Sequence, residues 1–168
     1  MEYIKKASNM SIFLTLLIIG VCVFISVFFN GFVGDDKDQI YNYALVNSLP
    51  DLPKVFLYHH EFLENNGNIL TGYYRPFMLL FFYTTRILFG LNPFFYHTPQ
   101  IILGIVNSFL VFTLFKRFIR REVAFLCSLL FLIHPINQET VAYVSNIQDI
   151  LFFLFGILGL LILTRAKT

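Results

Sequence analysis

The sequence predicts an all-α integral membrane protein with about four transmembrane helices and additional interfacial helices in the first outer loop. Of its 168 residues, 57% are hydrophobic and only 13% are charged, whereas soluble domains carry about 25% charged residues. The apolar residues form separate runs, several of which approach the roughly 20 residues that a helix needs to cross a bilayer. The charged residues collect between these runs. A net charge of +2 indicates no particular partner.

The first predicted transmembrane helix covers residues 11–29 and follows Lys5 and Lys6. Its apolar run is longer than the core of a cleaved signal peptide, which has about 7–15 residues, and no A-x-A-like cleavage site follows it. We interpret this segment as an uncleaved membrane anchor. The long outer loop 30–94 comes next. It contains the apolar segment Pro76–Phe89, which at 1.5 Å per residue is only about 21 Å long.

Three further segments complete the predicted membrane domain, which covers residues 1–168. The second transmembrane helix is predicted at 95–115, the third at 123–134 and the fourth at 147–163, with a second outer loop at 135–146. The third segment is short for a span. A re-entrant hairpin formed by the third and fourth segments would place the same ends on the same side.

The positions of Lys and Arg decide the predicted topology, because these residues collect in short cytoplasmic loops. If residues 76–89 lie along the membrane surface, then Lys5, Lys6, the basic KRFIRR loop (116–121) and the basic C-terminal tail all face the cytoplasm. If that segment crossed the membrane, the loop and the tail would lie outside. We therefore predict that both termini are cytoplasmic. The predicted location is the plasma membrane, or the endoplasmic reticulum membrane in a eukaryote.

Two adjacent carboxylates, Asp35 and Asp36, follow the first apolar run. A membrane exit combines low dielectric with access to water, and these conditions raise the pKa of a carboxylate and suit it to general-base catalysis. Adjacent like charges do not both ionise easily, so one of the pair is the candidate base. The alternative is that both carboxylates stay hydrated and only mark an outer loop.

Four other residues are candidates for binding a donor. Arg75 precedes a proline at the start of the interfacial segment, where a guanidinium can bind a lipid phosphate or simply extend to the membrane surface. His134, Glu139 and Asp149 border the short membrane segments, where charge is costly unless it is used or hydrated. If the first loop packs over the second, the carboxylates of both loops converge on one site. His134, beside Pro135, could equally cap a helix.

Other classes of site are not indicated. The consecutive residues His59, His60 and Glu61 do not share a helix face as metal ligands at H-x-x-x-H spacing do, so no metal site is assigned. Cys22 and Cys127 lie in apolar runs and form no disulfide pattern. No cofactor is assigned, although a divalent cation is left open. The sequence contains no phosphate-binding loop, nucleophile elbow or basic nucleic-acid patch, and nucleic acid is not a predicted partner.

Four stretches, taken together, resemble the start of a known enzyme class. They are FVGDDKDQIYN (32–42), YYRPF (73–77), LFGLNPFFYH (88–97) and LFLIHPINQETVAYVSNIQDIL (130–151). Their order and spacing resemble GT-C class membrane glycosyltransferases, most closely the protein O-mannosyltransferase-like group with C-terminal tetratricopeptide repeats. The resemblance covers about residues 10–165. It implies that the chain is the N-terminal part of a GT-C fold and that membrane lipids surround it.

The resemblance also implies a function. Such enzymes transfer a sugar, as in hexosyl or mannosyl transfer, from a polyprenyl- or dolichyl-phosphate donor to a protein, lipid or glycan acceptor on the outer or lumenal face. By resemblance the catalytic base is Asp35 or Asp36, and Asp149 belongs to the same outer site.

Several positions depart from the pattern of the group. Asn137 replaces a second histidine of the HPIHTEAV stretch, and Gln100 and Gly104 stand where Asn and His are common. Asn146 and Ile147 replace a Gly-Arg pair whose Arg would help to hold a phosphate. Members also usually have more spans, so we interpret this chain as an N-terminal portion, a truncated gene product or one half of an enzyme completed by a second membrane polypeptide.

The alternative function is that of a non-enzymatic four-helix membrane protein, such as an assembly subunit or a small transporter. A transporter places polar groups in the middle of its spans. Here the span interiors read as nearly all apolar and the ionisable groups gather at the outer rim, which favours the enzyme.

Overall fold

The computed structural model describes residues 4, 7–41, 49–57, 60–63 and 69–165. The helices and strands in these ranges are, in chain order, α1 (Asn9–Val23), α2 (Asp35–Tyr41), β1 (His60–Leu63), β2 (Ile69–Tyr73), α3 (Pro76–Phe89), α4 (Phe94–Phe115), α5 (Arg121–Ile133), α6 (Pro135–Ala142) and α7 (Ile147–Arg165). Three 3-10 helices lie at Val27–Phe29, Leu49–Phe56 and Val144–Asn146.

Local signals in the sequence explain where several helices begin and end. The hydroxyl of Ser8 accepts a hydrogen bond from the backbone N–H of Ser11 at 3.0 Å and caps α1. Pro76 opens α3 and Pro135 opens α6, because a proline at the first helical position loses no helical hydrogen bond. Gly90 ends α3 with a φ of 67°, a conformation that glycine adopts without steric cost.

Helix α4 is the centre of the bundle, and α1 and α5 run antiparallel to it. Phe13 of α1 contacts Phe109 edge to face at 5.3 Å, while Gly20 lies against Ile105. The hydroxyl of Ser108 donates to the backbone oxygen of Ser128 in α5 at 2.6 Å.

Helix α7 runs parallel to α4. The side chain of Gln100 donates to the backbone oxygen of Val144, just before α7, at 2.7 Å, and Arg117, just after α4, donates to that of Leu161 at 2.9 Å.

Two helical stretches of the described chain are long and apolar enough to cross a membrane, Phe94–Phe115 and Val144–Arg165. Helices α1 and α3 are apolar but have only 15 and 14 residues, and α5 has 13. The four predicted spans and their topology therefore stay predictions.

The predicted first helix at 11–29 is not continuous. Helix α1 ends at Val23, and the turn after it buries Phe24 and Val27 in the same core as Ile101 and Ile150. The gain from burying these two apolar side chains explains why the chain turns here rather than continuing straight.

The outer loop also contains an antiparallel hairpin, which corrects the prediction of an all-α fold. Strand β1 pairs with β2, with His60 opposite Tyr73 and an irregularity between Phe62 and Leu63. The sequence between the strands includes Asn66-Gly67, and Asn-Gly is the strongest short signal for a hairpin turn. The rest of the described fold is helical.

A second core joins the two outer loops to the bundle. Phe32 and Ile40 of the first loop pack with Phe82 of α3, Tyr96 of α4 and Val144 of the second loop. The ring of Phe32 meets that of Tyr96 edge to face at 5.1 Å. The first loop therefore lies over the second, which is the arrangement on which a shared acidic site depends.

Candidate functional site

The two adjacent carboxylates of the first loop have different surroundings. Asp36 is 0% exposed. One of its oxygens accepts a hydrogen bond from the backbone N–H of Ser145 at 2.7 Å, and the other accepts one from the N–H of Val33 at 3.3 Å. Asp35 is exposed. Asp36 thus links the first loop to the second, while Asp35 stays accessible beside this junction.

Glycine is needed directly before this acidic pair. Gly34 has a φ of 52°, in the left-handed region that residues with a side chain rarely adopt. A Cβ at this position would lie 3.8 Å from the ring of Tyr143. Gly34 therefore lets the chain turn into α2 while Asp36 enters the interior beside the second loop.

The outer part of α4 supports the junction from beneath with buried polar side chains. Tyr96 and His97 are 0% exposed, and the hydroxyl of Tyr96 donates to the backbone oxygen of Gly90 at 3.2 Å. His97 lies beside the backbone of residues 30–31 and close enough to Asp36 for the carboxylate to act electrostatically on its ring. Its ring nitrogens form no hydrogen bond within the described residues.

The interior of α4 is more polar than the sequence analysis stated. Gln100, Asn107 and Ser108 are buried and share one face with His97, because residues three, four and seven apart align along a helix. The side chain of Asn107 donates to the backbone oxygen of Ile150 at 3.0 Å. These bonds, with those of Gln100 and Ser108, join α4 to its neighbours, so the polar face serves helix packing. The spacing along α4 was the signal that could have revealed it.

A cavity of about 210 Å³ lies below the second loop, between α4, α5, α6 and α7. Its polar lining comes from Asn107, Asn137, Thr140 and the exposed Asp149, and four phenylalanines line much of the rest. Gly104 forms part of its wall, and a Cβ there would come within 2.8 Å of a methyl group of Val141. The absence of a side chain at 104 therefore allows α6 to pack closely on α4.

The other predicted site residues occupy different places. His134 is exposed and caps α6, since its Nδ1 accepts a hydrogen bond from the backbone N–H of Ile136 at 3.3 Å. This is the capping role left open above. Glu139 is exposed on α6, and Arg75 is half-buried at the start of α3. Asp149 lines the cavity, whereas the other three do not.

No group of three or more His, Cys, Asp or Glu side chains that could hold a metal ion is found among the residues described. His59 lies outside the described residues, and the side chains of His60 and Glu61 are likewise not described. The donor-binding roles of Arg75, His134, Glu139 and Asp149 and the catalytic roles of the acidic pair stay predictions.

Known proteins with similar sequences are protein O-mannosyl-transferases. The chain is 39% identical over 95 residues to TMTC1 of Homo sapiens, which covers 55% of this chain and 11% of that protein. It is 31% identical over 156 residues to TMTC3 of Homo sapiens, covering 90% of this chain and 17% of that protein. It is 26% identical over 160 residues to F38B6.6 of Caenorhabditis elegans, covering 92% and 23% respectively.

The chain thus spans between about a tenth and a quarter of the length of these relatives. No protein-family model and no solved structure matches it. The matches confirm the resemblance drawn from the four motif stretches. Over most of its length, this chain is a homologue of the protein O-mannosyl-transferases.

Proposed function

We propose that this chain is part of a glycosyltransferase that moves a hexose, mannose by analogy with the names of its relatives, from a polyprenyl- or dolichyl-phosphate donor to a hydroxyl group of a protein. The observation that carries the proposal is the contact of Asp36 with the backbone of Ser145 in a chain homologous to protein O-mannosyl-transferases. This contact places the acidic pair beside the loop that leads into Asp149.

Within the acidic pair, the surroundings favour Asp35 as the general base. Its carboxylate is exposed and can meet an acceptor that arrives from water. Both oxygens of Asp36 accept backbone N–H groups inside the protein, so Asp36 acts as a positioning residue that fixes the first loop on the second. A general base has to reach the proton that it removes, and this geometry comes before any other requirement.

The reaction is a displacement at the anomeric carbon of the donor sugar. Asp35 takes the proton of the acceptor hydroxyl as its oxygen forms a bond to the anomeric carbon. The bond between that carbon and the phosphate oxygen breaks, and its electron pair leaves with the lipid phosphate. The products are the glycosylated protein and the lipid phosphate, and Asp35 holds the transferred proton until water removes it.

Arg75 is the proposed contact for the donor phosphate, because a guanidinium can bind two phosphate oxygens at once. His134 and Glu139 remain candidates at the rim of the same outer face, and Asp149 is proposed to contact the donor from the cavity. The apolar helices place the site at a membrane surface, on the outer or lumenal side, with both termini in the cytoplasm. Further helices, from the same gene product or from a second membrane polypeptide, complete the donor pocket.

The test measures sugar transfer by the complete gene product from dolichyl phosphate mannose to an acceptor peptide. Asp35→Asn is expected to lower kcat by about 10²–10⁴, the usual cost of losing a general base, with the protein still folded. Lys37→Gln is the matched control, since Lys37 is exposed on the same short helix. Full activity of a folded Asp35→Asn variant would refute the proposed base, and the absence of any transfer by the wild type would refute the function.

A further inference from the structure

The cavity beneath the second loop contains a buried hydrogen-bond acceptor with no partner. Asn107 is 3% exposed and lines the cavity. Its Nδ2 donates to the backbone oxygen of Ile150, whereas its Oδ1 accepts no hydrogen bond within the described residues. A buried polar atom left without a partner costs about 1–3 kcal/mol, so such an atom at a cavity indicates that a ligand with a donor group completes it.

The remaining polar groups of the cavity also present acceptors. Asn137 spends an N–H of its side chain on the backbone oxygen of Phe131 at 2.8 Å, and Thr140 donates its hydroxyl proton to that of Ile136 at 3.3 Å. Asp149 is a carboxylate, which when ionised can only accept. The cavity therefore offers oxygen lone pairs to its contents and calls for a ligand with several O–H donors.

The same lining disfavours a phosphate. A phosphate group supplies acceptors and negative charge, and the described residues that line the cavity include one carboxylate and no Lys or Arg. The walls include the rings of Phe131 and Phe153, which stack with centroids 4.8 Å apart. Such apolar surfaces suit the C–H faces of a sugar ring, and the volume of about 210 Å³ is below the roughly 300–1,000 Å³ of pockets for drug-sized ligands.

A larger apolar cavity of about 590 Å³ adjoins this one. The two share Phe131, Phe152 and Phe153, and the larger one continues along α4 and α7 past Val111 and Ile157 toward the basic turn. An amphiphile with a hydroxyl-rich head and a hydrocarbon chain therefore meets matching surfaces in both.

We infer that the cavity formed by Asn107, Asn137, Thr140 and Asp149 is the subsite for the hexose ring of the lipid-linked donor, with its phosphate bound elsewhere. This rests on the proposed function and assigns Asp149 to the sugar rather than to the phosphate. The unpartnered Oδ1 of Asn107 receives one sugar hydroxyl, and the carboxylate of Asp149 receives another at the exposed edge of the cavity.

The experiment compares two ligands that differ only in the sugar. Dissociation constants of dolichyl phosphate mannose and of dolichyl phosphate are measured for the complete gene product and for the Asn107→Leu and Asp149→Asn variants. Each variant is expected to bind dolichyl phosphate mannose about tenfold more weakly, the value of one good hydrogen bond, and dolichyl phosphate as well as the wild type does. Gln100→Leu is the matched control. Gln100 also donates to a backbone carbonyl and has an unpartnered, buried Oε1, but it does not line the cavity.

The outcomes separate this inference from the function on which it rests. A selective loss for the sugar-bearing ligand in the two cavity variants, but not in Gln100→Leu, supports the subsite. Equal weakening of both ligands in all three variants, or no weakening in any, overturns it while transfer by the wild type keeps the proposed function intact. A loss of sensitivity to EDTA in Asp149→Asn would also overturn it, in favour of a cation. Failure of the wild type to bind either ligand would refute the function itself.

Discussion

The two ends of the helix bundle both carry clustered charges but use them differently. At the end with the basic turn, Arg121 donates to the backbone oxygens of Ile4 and Ala7 at 3.1 and 2.7 Å, and Arg117 donates to that of Leu161. At the opposite end, only one of the two adjacent carboxylates is bound in this way, since Asp36 is buried and Asp35 is exposed.

The difference shows which charges serve the fold and which are available for chemistry. The arginines of the basic turn satisfy carbonyl groups near both ends of the chain, a role that any bundle of this shape requires. The outer end needs a single buried carboxylate to hold its loops together, and it keeps Asp35 and Asp149 exposed in addition. Charge that the fold does not use is expensive near a membrane, which is why the outer end is the functional candidate.

The largest expected effect on stability is that of Asp36→Ala. It removes the acceptor of two backbone N–H groups and leaves the N–H of Ser145 buried without a partner. We expect the free energy of unfolding in mixed micelles to fall by about 3–5 kcal/mol, the usual cost of removing one partner of a buried charged interaction. Asp35→Ala, at an exposed position, is the control and should change it by less than about 0.5 kcal/mol. Equal effects of the two variants would remove the distinction between them.

At the basic end, Arg121→Met is expected to cost less. It removes two hydrogen bonds from a guanidinium to the backbone oxygens of Ile4 and Ala7, but methionine keeps much of the apolar contact with Phe112. We expect a loss of about 2 kcal/mol in the same unfolding measurement. Arg120→Met, which removes an exposed charge from the same turn, should have little effect. A loss as large as that of Asp36→Ala would show that both ends depend on buried charge equally.

A smaller effect is expected where the second loop packs on α4. Gly104→Ala forces a methyl group against Val141 and should cost about 1 kcal/mol, because overpacking outweighs the better helix propensity of alanine. Gly156→Ala in α7 meets no atom within 4 Å and should instead raise stability by about 0.5–1 kcal/mol. Thermal unfolding of both variants in one detergent gives the comparison, and a gain in both would contradict the close contact.

Much of the helical framework was predictable from the sequence. Helices α4, α5 and α7 begin and end within two residues of the predicted segments at 95–115, 123–134 and 147–163. Long apolar runs bounded by charge carry this information locally. The hairpin of the first loop was missed, although Asn66-Gly67 was visible, because attention to apolar runs does not detect short strands.

The site was less predictable because its geometry depends on contacts between distant residues. Asp35 and Asp36 are identical in type and adjacent in sequence, and only the packing of the second loop, through the N–H of Ser145, makes one buried and the other exposed. The unpartnered Oδ1 of Asn107 likewise results from the position of Ile150, 43 residues away. Such pairings are decided by tertiary packing, which no local pattern encodes.

The smallest expected effect concerns Lys116 in the basic turn. Burial lowers the pKa of Lys116 below its ordinary value of 10.5, and the neighbouring cations Arg121 and Arg117 lower it further. At neutral pH the lysine is protonated in the folded and unfolded chains alike, so folding brings a cation into an unfavourable place. Because Lys116 is only partly buried, solvent screening limits the cost to a few tenths of a kcal/mol. Lys116→Met should therefore raise the free energy of unfolding by that amount at pH 7.

The pH dependence provides the sign. As the pH rises through the lowered pKa toward 10.5, the folded wild type releases this proton before the unfolded chain does. The unfolded state then binds more protons, so the stability of the wild type rises with pH in this window and approaches that of Lys116→Met. Unfolding is measured for both at pH 7 and at increasing pH below 10.5, with Lys37→Met at the outer end as the control for a lysine far from the basic turn. A difference between wild type and Lys116→Met that widens with pH would reverse the sign and show that the contact of the Lys116 ammonium with the ring of Phe112 outweighs burial and repulsion.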